Sequence, residues 1–253
     1  SFFVGITKTR VLSWAAIMAV LINIPCNYLF IFSLNLGISG AAMASSLAEA
    51  GSLLILVIYT FLKMDKENLG LKPVYDRKLL NSLFYLSVWS MMHAFISVAP
   101  WFLFFVAIER LGEVQLAVSN IIRSISTVFF VIVNSFAATT GSLVSNLIGA
   151  GEGKSMFWLC GKILRLGYAV GFPLIIIAML FNQQIIGFYT DNAELIELAQ
   201  YPFIVMLLNY TFALPGYVFM NAVTGTGNTR IAFIFQISTI VVYLAYLYLL
   251  SYI

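Results

Sequence analysis

The chain has 253 residues, of which 62% are hydrophobic and only 9% are charged, and its formal net charge is +3. Soluble domains carry about 25% charged residues, so this composition excludes a protein whose whole surface faces water. Most of the basic residues fall on one side of the predicted membrane spans, so the positive charge gives no reason to expect a nucleic-acid partner.

Seven apolar stretches, each long enough to cross a bilayer, follow one another along the chain. A hydrocarbon core about 30 Å thick needs roughly 20 apolar residues per helix. The predicted spans are residues 11–34, 38–62, 80–108, 114–148, 157–181, 195–223 and 231–253. These runs lack the alternation of barrel strands, which favours helices. We therefore predict an all-α polytopic membrane protein with seven transmembrane helices.

The basic residues predict the orientation of these spans. Of the 13 Lys and Arg residues, all but Arg110 and Arg123 fall on one side of the membrane when the spans alternate. The positive-inside rule then places Ser1 in the cytoplasm and Ile253 outside. A seven-helix receptor, which the span count alone would suit, needs Ser1 outside and is disfavoured.

Two features indicate that the chain contains parts of two related groups of helices. The polar segment 63–79 separates the second span from the third and predicts a cytoplasmic linker. The sequences GITKTR at 5–10 and GTGNTR at 225–230 share Gly, Thr and Arg at the same offsets, each just before an apolar helix. Such a repeat is typical of transporters built from two homologous halves.

Three further stretches are distinctive: NYLFIF at 27–32 with LGISGAAMASS at 36–46, GSLVSNLIGAG at 141–151, and VTGTGNTR at 223–230. Together they resemble the multidrug and toxic compound extrusion (MATE) family of transporters. They are similar to the junction of the family's fifth and sixth helices, the inner end of its eighth helix, and the turn between its tenth and eleventh helices. The resemblance implies a two-lobed, twelve-helix transporter shaped as an inverted V.

Mapped in this way, the chain begins near the end of helix four and reaches helix eleven. Residues 1–62 would form the end of the N-terminal lobe, with about helices five and six. Residues 80–253 would form the C-terminal lobe, with about helices seven to eleven and without the last helix. The chain also opens without Met, as expected of part of a longer protein.

The resemblance further implies a secondary active exporter, not an enzyme. It would move drugs or organic cations by alternating access, driven by inward flow of protons or sodium ions. The implied partners are a small cationic or amphipathic substrate and the lipid bilayer. We expect no nucleic acid, no metal and no cofactor besides the coupling ion. The implied location is the inner membrane of a bacterium, and the full-length protein would be a monomer.

Two alternatives to a drug exporter are weaker. A lipid-linked oligosaccharide flippase of the same superfamily would need a strongly basic cavity to hold pyrophosphate, and Arg123 is the sole basic residue deep in a span. An intramembrane enzyme would need paired carboxylates or a histidine cluster at one depth. One departure from the family also matters. Some members carry acidic residues within the seventh and tenth helices, where this chain has Ser97 and Ala213.

Polar residues inside the spans are candidates for a substrate or ion path, because such residues usually face a cavity or a partner. Glu49, the only carboxylate well inside a span, would bind a proton, a sodium ion or a cationic substrate, or else join helices as a protonated, hydrogen-bonded residue. His93, the only histidine, would relay protons, or else form a hydrogen-bonded contact between helices. Arg123 is predicted to pair with Glu109 or Glu113. The remaining path candidates are Trp101, Asn120, Asn134, Asn209 and Tyr210.

Glycines mark the predicted structural motifs. Small residues, including Gly37 and Gly40, are expected to let two helices approach closely. The sequence around Gly149 and Gly151 predicts a helix end in a left-handed turn. The other motif positions are Gly141, Gly225 and Arg230.

Overall fold

The computed structural model describes residues 2–6, 8–64 and 75–250, and in these residues all regular structure is helical. Seven of the described helices are long and apolar enough to cross a membrane. The prediction of an all-α chain with seven spans is therefore confirmed.

The helices follow one another in the predicted order. Their bounds are α1 Phe2–Gly5, α2 Thr9–Asn27, α3 Gly37–Lys63, α4 Arg77–Glu109, α5 Glu113–Gly149, α6 Met156–Leu180, α7 Asn182–Gly187, α8 Ala193–Gly225 and α9 Thr229–Leu250. A π-helical segment, Tyr28–Ser33, extends α2, and a short 3-10 turn, Gly153–Ser155, precedes α6. Most of the predicted linker, residues 65–74, lies outside the described residues, as do residues 251–253 of the last span.

The chain divides into two compact units, Ser1–Asp76 and Arg77–Ile253. The assignment of these parts to the two lobes of a transporter stays a prediction. The second unit begins with α4, which runs without a break from Arg77 to Glu109.

The first unit is a pair of helices, α2 and α3. The small residues Gly40, Ala44 and Ala48 are the buried positions of α3, spaced one turn apart. A Cβ atom on Gly40 would lie 2.8 Å from the backbone carbonyl carbon and oxygen of Phe30, in the π-helical segment. This segment therefore lies directly against α3, and only a glycine fits at the contact.

The core of the second unit is formed by α5, α6 and α8. The buried side chains of α8 recur every three or four residues, from Ala199 through Phe203 and Leu207 to Ala222, as expected of one face of a helix. This face packs against buried residues of α5 and α6, such as Val144 and Ile163. The helices α4 and α9 pair with each other beside this core.

Two predicted turns are seen in detail. At the end of α5, Gly151 has φ of +79°, and the N–H groups of Gly151 and Glu152 donate to the carbonyls of Ile148 and Leu147 at 3.0 and 2.9 Å. This is a Schellman motif, in which a left-handed residue satisfies the last helix carbonyls. The two copies of the proposed repeat also match: a helix ends at Gly5 or Gly225, and the next begins at Thr9 or Thr229.

Candidate functional site

A cavity of about 430 Å³ lies between α4 and α5 in the second unit. Four aromatic rings line it, those of Trp101, Phe102, Phe105 and Phe130. The polar part of its wall comes from α5 and consists of Arg123, Ser126 and Thr127. On the α4 side the lining residues are Val98 and the rings of Trp101, Phe102 and Phe105, and α4 contains no glycine.

Arg123 lies in this cavity and does not pair as predicted. Its guanidinium carbon is 5.0 Å from the centre of the Phe105 ring, a cation–π distance. Among the residues of this unit that the structure describes, neither Glu109 nor Glu113 forms an ion pair with it, so the predicted pairing is wrong. Glu109 is the last residue of α4, and Glu113 is the first residue of α5. Arg123 is ten residues inside α5, about 15 Å along the helix axis from Glu113.

His93 is half-buried on α4. One turn before it, the Trp89 ring centroid is 5.3 Å from that of Phe233, on α9, and 5.8 Å from the guanidinium carbon of Arg230. The Nε2 atom of His93 is buried and has no hydrogen-bond partner among the described residues. Arg230, at the start of α9, therefore contacts Trp89 of α4. A role for His93 on a substrate or ion path stays a prediction.

Tyr210 is 3% exposed and joins α8 to α6. Its hydroxyl donates to the Gly167 carbonyl at 2.9 Å, while the Tyr168 hydroxyl of α6 donates to the Thr211 carbonyl of α8 at 2.7 Å. The two bonds run in opposite directions between neighbouring residues. We call these two bonds the tyrosine clamp. The clamp favours a packing role for Tyr210 over a place on a substrate path.

The C-terminal ends of α5 and α8 meet through their backbones. A Cβ atom on Gly225 would overlap with the carbonyl oxygen of Gly141, and one on Gly141 would lie 3.1 Å from the Asn221 carbonyl oxygen. The Ser145 hydroxyl lies 2.7 Å from the Gly225 carbonyl and 3.0 Å from that of Gly141. These glycines therefore permit a close helix crossing, in the manner of small-residue interfaces in membranes.

The asparagine candidates are not brought together. Asn134 donates to the carbonyl of Phe130, one turn back on its own helix, at 3.0 Å. Asn120 is half-buried on α5, three residues before Arg123, and Asn209 is exposed on α8. Their place on a path stays a prediction.

In the first unit, a polar cluster joins α2 to α3. Asn27 donates to Asn23 at 2.8 Å, and Asn23 contacts the Ser45 hydroxyl of α3 at 3.5 Å. We call Asn23, Asn27 and Ser45 the amide cluster. Pro25 lies between the two asparagines inside α2. Because proline lacks an N–H group, the helix loses one backbone hydrogen bond there.

Glu49 follows Ser45 by one turn on α3 and is exposed. The two residues therefore share one stripe of the helix. Asn23 and Asn27 are four residues apart, a spacing that puts them on one face of α2, but the spacing alone does not identify a site. The missing information was the partner, because Ser45 is 22 residues from Asn23.

Comparison with known proteins agrees with this architecture. Residues 90–249 match the MatE family model. A probable multidrug resistance protein NorM of Photorhabdus laumondii is 26% identical over 218 residues, covering 83% of this chain and 48% of that protein. The multidrug resistance protein NorM of Aliivibrio fischeri is 25% identical over 210 residues, covering 79% of this chain and 45% of that protein.

Solved structures give the same result for the fold. A crystal structure of MATE in complex with MaL6 has a TM-score of 0.72 at 22% identity, covering 88% of this chain and 51% of that one. A crystal structure of MATE in the bent conformation has a TM-score of 0.70 at 19% identity, covering 90% of this chain and 51% of that one. The chain thus spans about half the length of the relatives it matches. Because the family match extends over more than half of the sequence, the chain belongs to the MatE family of membrane transporters.

Proposed function

We propose that the protein containing this chain is a cation-coupled efflux antiporter that exports drugs or organic cations by alternating access. The observation that carries the proposal is the match of residues 90–249 to the MatE family. Relatives of the chain are named multidrug resistance proteins. We further propose a bacterial inner membrane as its location, with Ser1 on the cytoplasmic side.

We propose the amide cluster and Glu49 as the place where the coupling ion binds. Hard cations prefer oxygen ligands, and the cluster offers amide and hydroxyl oxygens inside the span. Pro25 and the π-helical segment Tyr28–Ser33 interrupt the helix beside it. Interrupted helices and π-bulges often accompany ion and functional sites in membrane proteins.

The chemistry of these residues distinguishes sodium coupling from proton coupling. Asn23, Asn27 and Ser45 do not titrate in the physiological range, so they can coordinate sodium but cannot carry a proton. Glu49, on the same stripe of α3, is the group that would carry a proton. Sodium coupling therefore predicts dependence on Asn27, whereas proton coupling predicts dependence on Glu49.

The test is ethidium efflux by the complete protein in cells that lack their own major exporters. Efflux should stop when an ionophore dissipates the ion gradient that drives it, applied separately to protons and to sodium. Unchanged accumulation of ethidium and of a panel of cationic dyes, with and without the protein, would contradict drug export.

Three variants test the ion site in the same assay. For proton coupling, Glu49→Gln should abolish gradient-dependent efflux, and for sodium coupling Asn27→Leu should do so. Glu152→Gln is the matched control, because Glu152 follows the end of α5 and lies outside the spans. Full transport by both Glu49→Gln and Asn27→Leu would return these residues to a packing role.

A further inference from the structure

We propose that the cavity between α4 and α5 binds small amphipathic anions, in which a carboxylate or sulfonate is attached to an aromatic body. This goes beyond the proposed export of cations and does not depend on it. Three properties of the second unit carry the inference: an unpaired guanidinium within a span, aromatic walls, and a volume suited to a small molecule.

The unpaired charge is that of Arg123. An arginine side chain is always charged in proteins, and a charged group inside a span normally faces a partner or a water-filled cavity. Within residues 75–250, which the structure describes, no carboxylate forms an ion pair with Arg123, and its contact is the face of Phe105. The opposite charge that this position calls for is therefore missing from the described part of the unit.

The shape of the guanidinium suits an anionic group. A guanidinium that stacks on a ring keeps its N–H groups, which lie in its own plane, for hydrogen bonds. Its planar fork matches the two oxygens of a carboxylate, and sulfonate offers oxygens of similar spacing. Arg123 can therefore contact Phe105 and a bound anion at the same time.

The walls suit an aromatic body. Trp101, Phe102 and Phe130 are all large and apolar, and each is at least two-fifths exposed, at 47%, 70% and 41%. The cavity of about 430 Å³ falls within the range of about 300–1,000 Å³ that is typical of small-molecule sites. A one- or two-ring compound can therefore enter between the rings.

The charge of the cavity disfavours a cation. The hydroxyls of Ser126 and Thr127 both donate to the backbone carbonyl of Arg123, at 2.8 and 3.0 Å. Both hydroxyls are neutral groups, so they do not offset the charge of the guanidinium. An aromatic cation would meet a fixed charge of the same sign, and an aromatic anion would meet the opposite one.

The experiment compares two probes with the same rings and opposite charge, naphthalene-2-sulfonate and 2-naphthylmethylammonium. Binding to the complete purified protein in a neutral detergent is measured by equilibrium dialysis. The sulfonate should bind about tenfold more tightly than the ammonium, and Arg123→Gln should weaken sulfonate binding about tenfold. Arg123→Lys should bind the sulfonate less tightly than the wild type but more tightly than Arg123→Gln, because lysine keeps the charge and loses the planar fork and the stacking on Phe105.

Two further variants keep the proposal testable. Arg110→Gln removes an exposed arginine that does not line the cavity and should leave sulfonate binding unchanged. Thr127→Phe fills the cavity while Arg123 stays, and it should abolish sulfonate binding even if Arg123→Gln fails to fold. Equal binding of the two probes, an equal loss in Arg110→Gln, or no loss in folded Arg123→Gln would each overturn the proposal.

A lipid headgroup could supply the same anionic chemistry, so the assay is repeated with added phosphatidylglycerol or phosphatidylcholine. Equal sulfonate binding in both supports a site for small anions. Displacement by phosphatidylglycerol alone, lost in Arg123→Gln, would assign the cavity to lipid and overturn the proposal. Binding is measured without transport, so the two proposals can fail separately. Ethidium efflux can be absent while the anion binds, and anion binding can be absent while ethidium is exported.

Discussion

The two sides of α5 differ in how closely they pack and in whether their polar side chains have hydrogen-bond partners. Toward α8, Gly141 and Gly225 bring two backbones together, and the Ser145 hydroxyl reaches the Gly225 carbonyl at 2.7 Å. Toward α4, aromatic rings hold the helices apart, and Arg123 is left with the face of Phe105. One side is therefore tightly packed and the other contains a cavity.

The difference follows from where glycines occur. The helices of the packed side carry glycines at their contacts, and α4 carries none across 33 residues. Glycine exposes the backbone carbonyl of one helix to the side chains of the next, and these carbonyls are the available acceptors inside a bilayer. Without them, a polar side chain such as Arg123 keeps its binding capacity for a ligand.

The largest effect is expected where two backbones touch. Gly225→Ala places a Cβ atom on the Gly141 carbonyl, and neither backbone can rotate away, so the helices must separate. We expect a loss of about 3 kcal/mol in the free energy of unfolding, the upper end for overpacking. It can be measured by titrating the complete purified protein with a denaturing detergent.

The control for this change is Gly216→Ala on the same helix. A Cβ atom on Gly216 would meet nothing within 4 Å. Alanine also has the higher helix propensity, so this variant should be as stable as the wild type or slightly more stable. Equal stability of Gly225→Ala and Gly216→Ala would refute the close crossing of α5 and α8.

A smaller loss is expected at the tyrosine clamp. Gly171→Ala would push the Tyr210 ring, which occupies the place of the new Cβ atom. The ring can move only by straining its hydrogen bond to Gly167, so we expect a loss of about 2 kcal/mol. The same detergent titration on Gly171→Ala with Tyr210→Leu should show a smaller loss than the sum of the single changes. Strict additivity would contradict the contact.

The hydroxyls of the clamp should contribute less than its packing. Tyr210→Phe and Tyr168→Phe each remove one hydrogen bond to a backbone carbonyl. Such bonds between membrane helices are worth about 0.6 kcal/mol on average and rarely more than about 1.7 kcal/mol. Each variant should lose about 1 kcal/mol in the titration, whereas the exposed Tyr201→Phe should lose nothing measurable. If Tyr201→Phe lost as much stability as Tyr210→Phe and Tyr168→Phe, the loss could not be attributed to the hydrogen bonds of the clamp.

The sequence predicted what depends on local pattern. Continuous apolar runs gave the seven spans, and the glycines at 149–151 gave the left-handed end of α5, where Gly151 has φ of +79°. The clamp was beyond its reach, because Tyr210 and Gly167 are 43 residues apart and no local pattern pairs them. Arg123 was assigned to Glu109 or Glu113 on the basis of charge alone, whereas in the structure its guanidinium lies against the Phe105 ring.

The smallest effect on stability is expected on the cavity side, at Arg123. Removing one member of a buried ion pair is strongly destabilising, by about 3–5 kcal/mol, because the partner stays buried without compensation. Arg123 has no such partner among the described residues, and the membrane disfavours its charge. Arg123→Gln should therefore change the free energy of unfolding by less than about 0.5 kcal/mol, or raise it. A loss of several kcal/mol in the same titration, absent from Arg110→Gln, would mean that Arg123 pairs with a carboxylate elsewhere in the complete protein. The cavity side would then be as fully satisfied as the packed side.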